Sequence, residues 1–360
     1  MDEYILGIES SCDETAAAIV EDGHTILSNV VVSQVDIFAA YGGVIPEVAA
    51  RSHLEAILPV IHQAFKSAQL VKPDPLNPDQ LIDDWSKIDA IAVTHTPGLL
   101  GSLLIGTLTA RNLAILQQKP LYAVHHLKSH IYANWLELDA SSTPSFPLLA
   151  LVISGGHTQI IRMSQHNHFQ IIGSSKDDAV GECFDKVAKI LGLPYPGGPA
   201  ITKAAKTGHP QKYPLPHPKV ENLDFSFSGL KTAVLRSVQK ELNLPISTPS
   251  TQLAAQLSPQ QVTDFAASFQ QTAVDILLEK LKTALDLYPD TKSIVFSGGV
   301  SANQALRLSA DEHFKNSFPA PKFSGDNAAM VGAAAYYEIQ SGVKPTNPYS
   351  LNILPRSPIQ

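Results

Sequence analysis

The sequence predicts an α/β protein of two similar lobes, each a mixed β-sheet flanked by helices, with a ligand cleft between them. Three observations predict this. Short apolar runs of strand length alternate with stretches of helical period. The same order of elements, three strands followed by helix, strand and helix, occurs twice. A turn-rich stretch, Ala140–Pro147 (ASSTPSFP), lies between the two copies. The 360 residues suffice for about two domains. They divide at that stretch into an N-terminal lobe, 1–143, and a C-terminal lobe, 144–360.

The first copy opens with strands Tyr4–Ile8, Ala16–Val20 and Thr25–Val32, the first two joined by a tight polar turn, Glu9 to Thr15. A helix follows over about Pro46–Ala68, with proline at a tolerated first-turn position. Residues Val71–Lys87 hold three prolines and four aspartates and read as an exposed acidic loop. Strand Ile88–Thr94 then runs into a Gly/Pro loop, a helix to about Gln117, and strand Leu121–Val124 before His125 and His126. In the second copy the strands are Leu148–Ile153, Thr158–Met163 and Phe169–Gly173, and a helix covers about Ala179–Leu191. The basic, proline-rich stretch Pro194–Pro218 reads as an insertion. Ser258-Pro259 is an N-cap and N1 pair opening a long amphipathic helix. Strand Ser293–Phe296, a helix from near Ser301 and a last helix over about Asn327–Ile339 complete the set, and an irregular segment starts at Lys344. Two such lobes around a ligand form the actin-like ATPase (ASKHA) architecture, also seen in sugar kinases and Hsp70.

Composition bounds the function. Hydrophobic residues make up 44% and charged residues 16%, ordinary for a chain with a sizeable core. No apolar run approaches the roughly 20 residues of a membrane helix. The acidic N-terminus lacks the basic start of a signal peptide, and two cysteines cannot build a disulfide framework. A reduced, cytoplasmic setting without membrane contact is the expectation. The net charge of −7 argues against a wholly nucleic-acid-binding surface. Yet Lys186–Lys240 holds nine Lys/Arg against two acids. That segment either meets a polyanion at one place or is a lysine-rich solvated face.

Three glycine-rich turns directly follow predicted strands: Pro97-Gly98 to Gly101, Ser154-Gly155-Gly156 and Ser297-Gly298-Gly299. Glycine lets backbone N–H groups approach a phosphate closely. Neither a Walker A motif nor a Rossmann glycine pattern is present, so a nucleotide site must be of another type. His126 and His130 stand at i and i+4, on one face of a helix, where imidazoles can share a metal. Asp326 is the candidate third ligand; its alternative role is an N-cap. Two histidines and a carboxylate leave coordination positions open, which suits Lewis-acid catalysis. The glutamate of HExxH is absent, which leaves a zinc peptidase without its base.

Nine motifs stand in one order: GIESSCDETAAAI (7–19), YGGVIPEVAARSH (41–53), TPGLLGSLLIG (96–106), VHHLKSH (124–130), LVISGGHTQI (151–160), DDAVGECFDKVAKILGLPYPGGP (177–199), LDFSFSGLKT (223–232), SGGVSAN (297–303) and GDNAAM (325–330). With them the chain resembles the bacterial TsaD family of tRNA N6-adenosine threonylcarbamoyltransferases, once labelled O-sialoglycoprotein endopeptidases. The resemblance runs from about Tyr4 to Glu338. It implies an actin-like fold, one iron or zinc ion held by His126, His130 and Asp326, and threonylcarbamoyl-AMP as substrate in a site that ATP or AMP also fits. It implies contacts to that adenylate from Val152, Ile153, Ser154, Gly155, Gly156, Asp185, Gly198 and Asn303. Gly155 and Gly156 would offer backbone donors to phosphate, Asp185 would accept ribose hydroxyls, Gly198 would leave room, and Asn303 would bond ribose or base. The implied partners are tRNA, a paralogous TsaB-type subunit, a TsaE-type ATPase and an upstream TsaC-type adenylate-forming enzyme. The chain departs from the pattern at Gly325 and Ala328, beside Asp326, and at Thr202, where many relatives carry aspartate.

The implied reaction is acyl transfer to a poorly nucleophilic exocyclic amine, so positioning and carbonyl polarisation must carry much of the rate. Asp13 or Glu14, in the first loop, is the expected base, with capping of that turn as the alternative. Three other readings of the chain are a metallopeptidase, a small-molecule phosphotransferase of the same fold, and a non-catalytic scaffold. The second leaves the histidine–aspartate set without a role, and the third is at odds with retention of both histidines.

Overall fold

The computed structural model describes residues 2–138 and 142–359. Residues 140 and 141 of the expected turn-rich break therefore lie outside the described residues. The first lobe opens with β1 (Tyr4–Glu9), β2 (Glu14–Glu21) and β3 (Thr25–Ser33). In β1 and β2, Ile5, Leu6, Ile8 and the run Ala16 to Val20 are all essentially without solvent contact. Continuous apolar runs of this kind mark strands covered on both faces. Short helix α1 (Val35–Ala39) leads to α2 (Pro46–Ser67), which carries proline in its first turn as expected. Then come β6 (Ala90–Thr96), α3 (Leu100–Gln117), β7 (Leu121–His125) and α4 (His126–Tyr132).

Before β6, the stretch expected to be a loop carries a small hairpin, β4 (Val71–Pro73) with β5 (Leu81–Asp83), and a 3-10 turn at Trp85–Lys87. The prolines and aspartates that suggested a loop lie mostly at the hairpin's end, while Trp85 packs on Phe65 of α2 at 4.7 Å between ring centroids.

The second lobe repeats the plan with β8 (Leu148–Ile153), β9 (Thr158–Met163), β10 (Phe169–Ser174) and α5 (Val180–Ile190). Helix α6 (Gly197–Ala205) lies within the stretch expected as a basic insertion, and α7 (Ser228–Glu241) follows it. Pro196 and Pro199 fall at the N-cap and in the first turn of α6, where no backbone N–H is required. In α7, Leu230, Val234 and Val238 recur every fourth residue and are buried. Helix α8 (Pro259–Leu287) starts with a reciprocal capping box between Ser258 and Gln261. β11 (Ser293–Ser297), α9 (Gln304–His313), β12 (Asn316–Ser317) and α10 (Ala328–Gln340) follow.

Both five-stranded sheets have one topology, β3-β2-β1-β6-β7 and β10-β9-β8-β11-β12. In each, the first three strands are antiparallel and the last three parallel. The break near residue 143 separates the strands of the two sheets, but α10 returns to cover the first sheet. Gly7 of β1 permits that approach, because a Cβ there would run into the Ala328 carbonyl and the Gly332 nitrogen of α10. One apolar cluster, holding Ile5, Val124, Val152, Val295 and Ala329, joins the lobes through this helix and α4. Among the described residues, no helix is long and apolar enough to cross a membrane.

Candidate metal centre and ligand cleft

Parallel pairing places the functional loops side by side. Ser297 of β11 aligns with Val152 of β8, so the turns Ser154-Gly155-Gly156 and Ser297-Gly298-Gly299 emerge together at one sheet edge. Gly298 has φ +87°, and a Cβ there would meet the Ile153 carbonyl, so this junction requires glycine. In the first lobe, β1, β6 and β7 end likewise in Ser10-Ser11, Pro97-Gly98 and His126. Ligands of open α/β sheets bind beyond such carboxyl ends.

Two adjoining cavities occupy that position. The central one, about 700 Å³, is lined from the first lobe by Ser11, Cys12, Asp13, Glu14, Gly98 and His126, and from the second by Ser154, Gly155, Gly156, His157 and Asp185, with Asp326 between. The outer one, about 680 Å³, is lined by Phe184, Asp185, Gly198, Thr202, Lys203, Val300 and Asn303, among others. Gly155, Asp185 and Gly299 face both. Val152 and Ile153 have no solvent exposure, so their side chains belong to the core of β8 rather than to the cleft.

The histidine pair sits where the spacing placed it. His126 and His130 occupy one face of α4, their ring centroids 4.6 Å apart. Asp326 Oδ1 lies 3.0 Å from His130 Nε2 and 3.5 Å from His126 Nε2. One ligand atom from each residue falls within 4.8 Å of the others. The capping alternative for Asp326 fails, because Asn327 is the cap of α10 and accepts from Met330 N at 3.1 Å. Both ring nitrogens of His130 are buried without a well-formed hydrogen bond. Buried polar atoms normally find partners, and a divalent ion on Nε2 would supply one. The donor set of two imidazoles and a carboxylate therefore fits a metal.

Charge balance points the same way. Burial works against the charged form of His126, but Asp326 and Glu9 outweigh it and raise its pKa to about 9. Burial likewise opposes ionised Asp326, yet the two histidines hold it down to about 2. The site is thus an anionic cup built for a cation. Glu9 was missed in the sequence. It is fully buried, takes Thr94 Oγ1 at 2.6 Å and lies 3.1 Å from His126 Nδ1. A carboxylate behind a ligating histidine fixes its tautomer and orientation. The available signal was a lone glutamate closing an apolar strand.

Asp13 and Glu14 reach the central cavity. Burial first, then Asp326 and Asp13, pushes Glu14 up to about 9. Glu14 Oε1 also accepts from Ser33 Oγ at 3.1 Å. His157, likewise missed, faces the same space, and burial lowers its pKa to about 4. Asp185 accepts from Gly197 N at 2.7 Å, and burial raises its pKa. Asn303 caps α9 through Ala305 N at 2.9 Å, and its amide donates to Gln270 Oε1 at 3.0 Å and Thr202 Oγ1 at 3.2 Å. The hydroxyl at Thr202 is thus spent on Asn303 and on the Gly198 carbonyl. At Gly325 a Cβ would meet open space, so packing does not require glycine there.

Of the basic segment, Lys203 and Lys206 stand exposed at the outer cavity. Lys186 is paired to Asp178 and Glu182, and Arg236 is committed to the Ile246 carbonyl.

The family described as tRNA N6-adenosine threonylcarbamoyltransferase matches residues 25–333. A relative of that name in Symbiobacterium thermophilum is 45% identical over 357 residues, covering 98% of this chain and 95% of its own. Among solved structures, the HypF protein of T. kodakarensis superposes with a TM-score of 0.58 at 13% identity, over 94% of this chain and 48% of HypF. The (R)-2-hydroxyglutaryl-CoA dehydratase component A of Acidaminococcus fermentans gives 0.50 at 14% identity, over 94% and 99%. These two likenesses bear on the fold alone, which is the actin-like ATPase fold expected from the sequence.

Proposed function

The chain belongs to the tRNA N6-adenosine threonylcarbamoyltransferase family, and from that premise we propose how its cleft performs the transfer. The protein moves a threonylcarbamoyl group onto N6 of an adenosine in tRNA. The proposed donor is threonylcarbamoyl-AMP, and the proposed acceptor is the adenosine adjacent to the anticodon in tRNAs reading codons that begin with A. The observation that carries the reading is the convergence of His126, His130 and Asp326 beside two glycine turns.

In this reading the nucleoside lies in the outer cavity, with Asp185 toward ribose and Gly198 and Asn303 lining the base or ribose. The phosphate faces the N–H groups of Gly155 and Gly156, and Val152 and Ile153 contribute only by holding that turn from the core. An iron or zinc ion on the two histidines and Asp326 would polarise the carbamoyl carbonyl and anchor the adenylate. The N6 amine attacks that carbon, the new C–N bond forms, and the bond to the phosphate oxygen breaks as AMP leaves. Asp13 or Glu14, both lining the central cavity, takes the amine proton, with Asp13 the one to be tested first.

The tRNA backbone would follow Lys203 and Lys206 beside the same cavity. A TsaB-type subunit would cover the exposed leucines at helical spacing, Leu54 and Leu58 on α2 and Leu100, Leu104 and Leu108 on α3. A TsaE-type ATPase and an upstream TsaC-type enzyme complete the proposed system, in the cytoplasm. The test is nucleoside mass spectrometry of tRNA incubated with threonylcarbamoyl-AMP, this protein and its partners. Threonylcarbamoyladenosine should form with the native chain and not with Asp326→Asn. Equal yields from both would remove the metal centre from the reaction.

A further inference from the structure

The segment after α10 runs back across the first lobe and ends against the cleft. Thr346 N donates to the Leu121 carbonyl at 2.7 Å, and Arg111 of α3 bonds the carbonyls of Pro348, Tyr349 and Leu351. Leu354 N then donates to the His95 carbonyl at 3.1 Å, and Gly98 N donates to the Pro355 carbonyl at 3.2 Å. Ile359 is buried in the cluster that joins the lobes. Three anchors within eight residues are more than an irregular segment needs simply to lie on a surface.

Two chains of contacts lead from this segment to the histidine pair. In the first, His125 Nε2 lies 3.1 Å from the Ser357 carbonyl, which can only accept, so Nε2 carries the proton. The opposite nitrogen, Nδ1, is then the acceptor for Leu127 N at 3.2 Å and caps α4, the helix carrying His126 and His130. In the second, Gly98 is held by Pro355, and next to it Leu99 N donates to the Ser11 carbonyl at 2.8 Å. Ser11 Oγ lies 3.1 Å from His126 Nδ1. A Cβ at Gly98 would collide with Ser11, so this loop has little freedom to shift on its own.

We propose that residues 352–359 form a strap that fixes α4, with His125 as the positioning residue that transmits it. The inference rests on the metal reading above. Partners behind a ligand residue typically set metal affinity by about 10–100-fold, and the strap acts at that level. His125→Asn isolates it, because asparagine still caps α4 but cannot reach Ser357.

The experiment uses Co²⁺ as probe, following its dissociation constant and its visible absorption band in four proteins: the native chain, His125→Asn, a chain ending at Asn352, and the combination. His125→Asn should weaken Co²⁺ binding about 10-fold and shift the band. Truncation should weaken it at least as much, and adding His125→Asn to the truncated chain should change nothing further. His125→Ala, which also loses the cap, should bind more weakly than His125→Asn. Unchanged affinity and band in folded His125→Asn overturn the proposal, as does full additivity in the combined protein. If the truncated chain does not fold, the point variant alone decides. A native chain that fails to bind Co²⁺ would instead sink the metal reading itself, which separates the two failures.

Discussion

At the residue scale, the site depends on carboxylates placed where burial alone would neutralise them. Glu9 and Asp326 stay ionised because His126 and His130 face them, and the cation that the family implies would share that field. Asp13 tests the proton assignment. Asp13→Asn should lower kcat by about 10²–10⁴-fold with little change in KM for tRNA; a variant of native kcat would hand the base role elsewhere. A second residue reports on stability. Glu338 of α10 is buried, and burial, only partly offset by Lys128, raises its pKa to about 7. Its folded value exceeds the unfolded one, so the folded state binds the extra proton. Its contribution is therefore most favourable below about pH 4.5 and is lost as pH rises through 7. Glu338→Gln should remove that loss, raising stability at pH 8 relative to pH 5.5 by up to about 2 kcal/mol. Urea midpoints of both proteins at the two pH values measure it.

At the element scale, the loops at the carboxyl ends of β1, β6, β7, β8 and β11 build the cleft, and α6 supplies its basic rim. Lys203 and Lys206 lie one turn apart on and just beyond α6, both exposed at the outer cavity. Reversing both to glutamate should weaken tRNA binding and flatten the plot of log affinity against log salt by roughly one to two per pair of lost contacts. Binding isotherms at several salt concentrations decide it, and an unchanged slope removes α6 from the tRNA path. The hairpin β4–β5 and helix α7 show the limit of local patterning. The hairpin's strands are three residues long, too short for a period-2 signal. The buried stripe of α7 was masked by the prolines and lysines that precede it.

At the whole-molecule scale, the metal centre spans distant parts of the chain, since His126 and His130 lie on α4 while Asp326 precedes α10. An ion there ties α10 to the first lobe, so binding should stabilise the entire fold. At a hundredfold excess over Kd the gain is about 2.7 kcal/mol, raising the melting midpoint by about 3–4 °C. Chelator should reverse the shift in the native chain and have no effect on Asp326→Asn. A melting point indifferent to both would show that no ion bridges these segments.

The two-fold repeat, the cleft at the glycine turns and the histidine pair were all legible in the linear sequence, because strand and helix periods and an i, i+4 spacing are local properties of the chain. Asp326 stood out in the sequence as the candidate third ligand, with a cap as its rival, and the family resemblance favoured the ligand; the choice of Asn327 as the cap needed coordinates. Glu9 and Ser11 behind His126 and the removal of Val152 and Ile153 side chains from the cleft also depend on contacts between residues far apart in sequence. So does the return of 352–359 to the metal helix. Local spacing names which residues share a face of an element; only the packing of one element on another decides what that face meets.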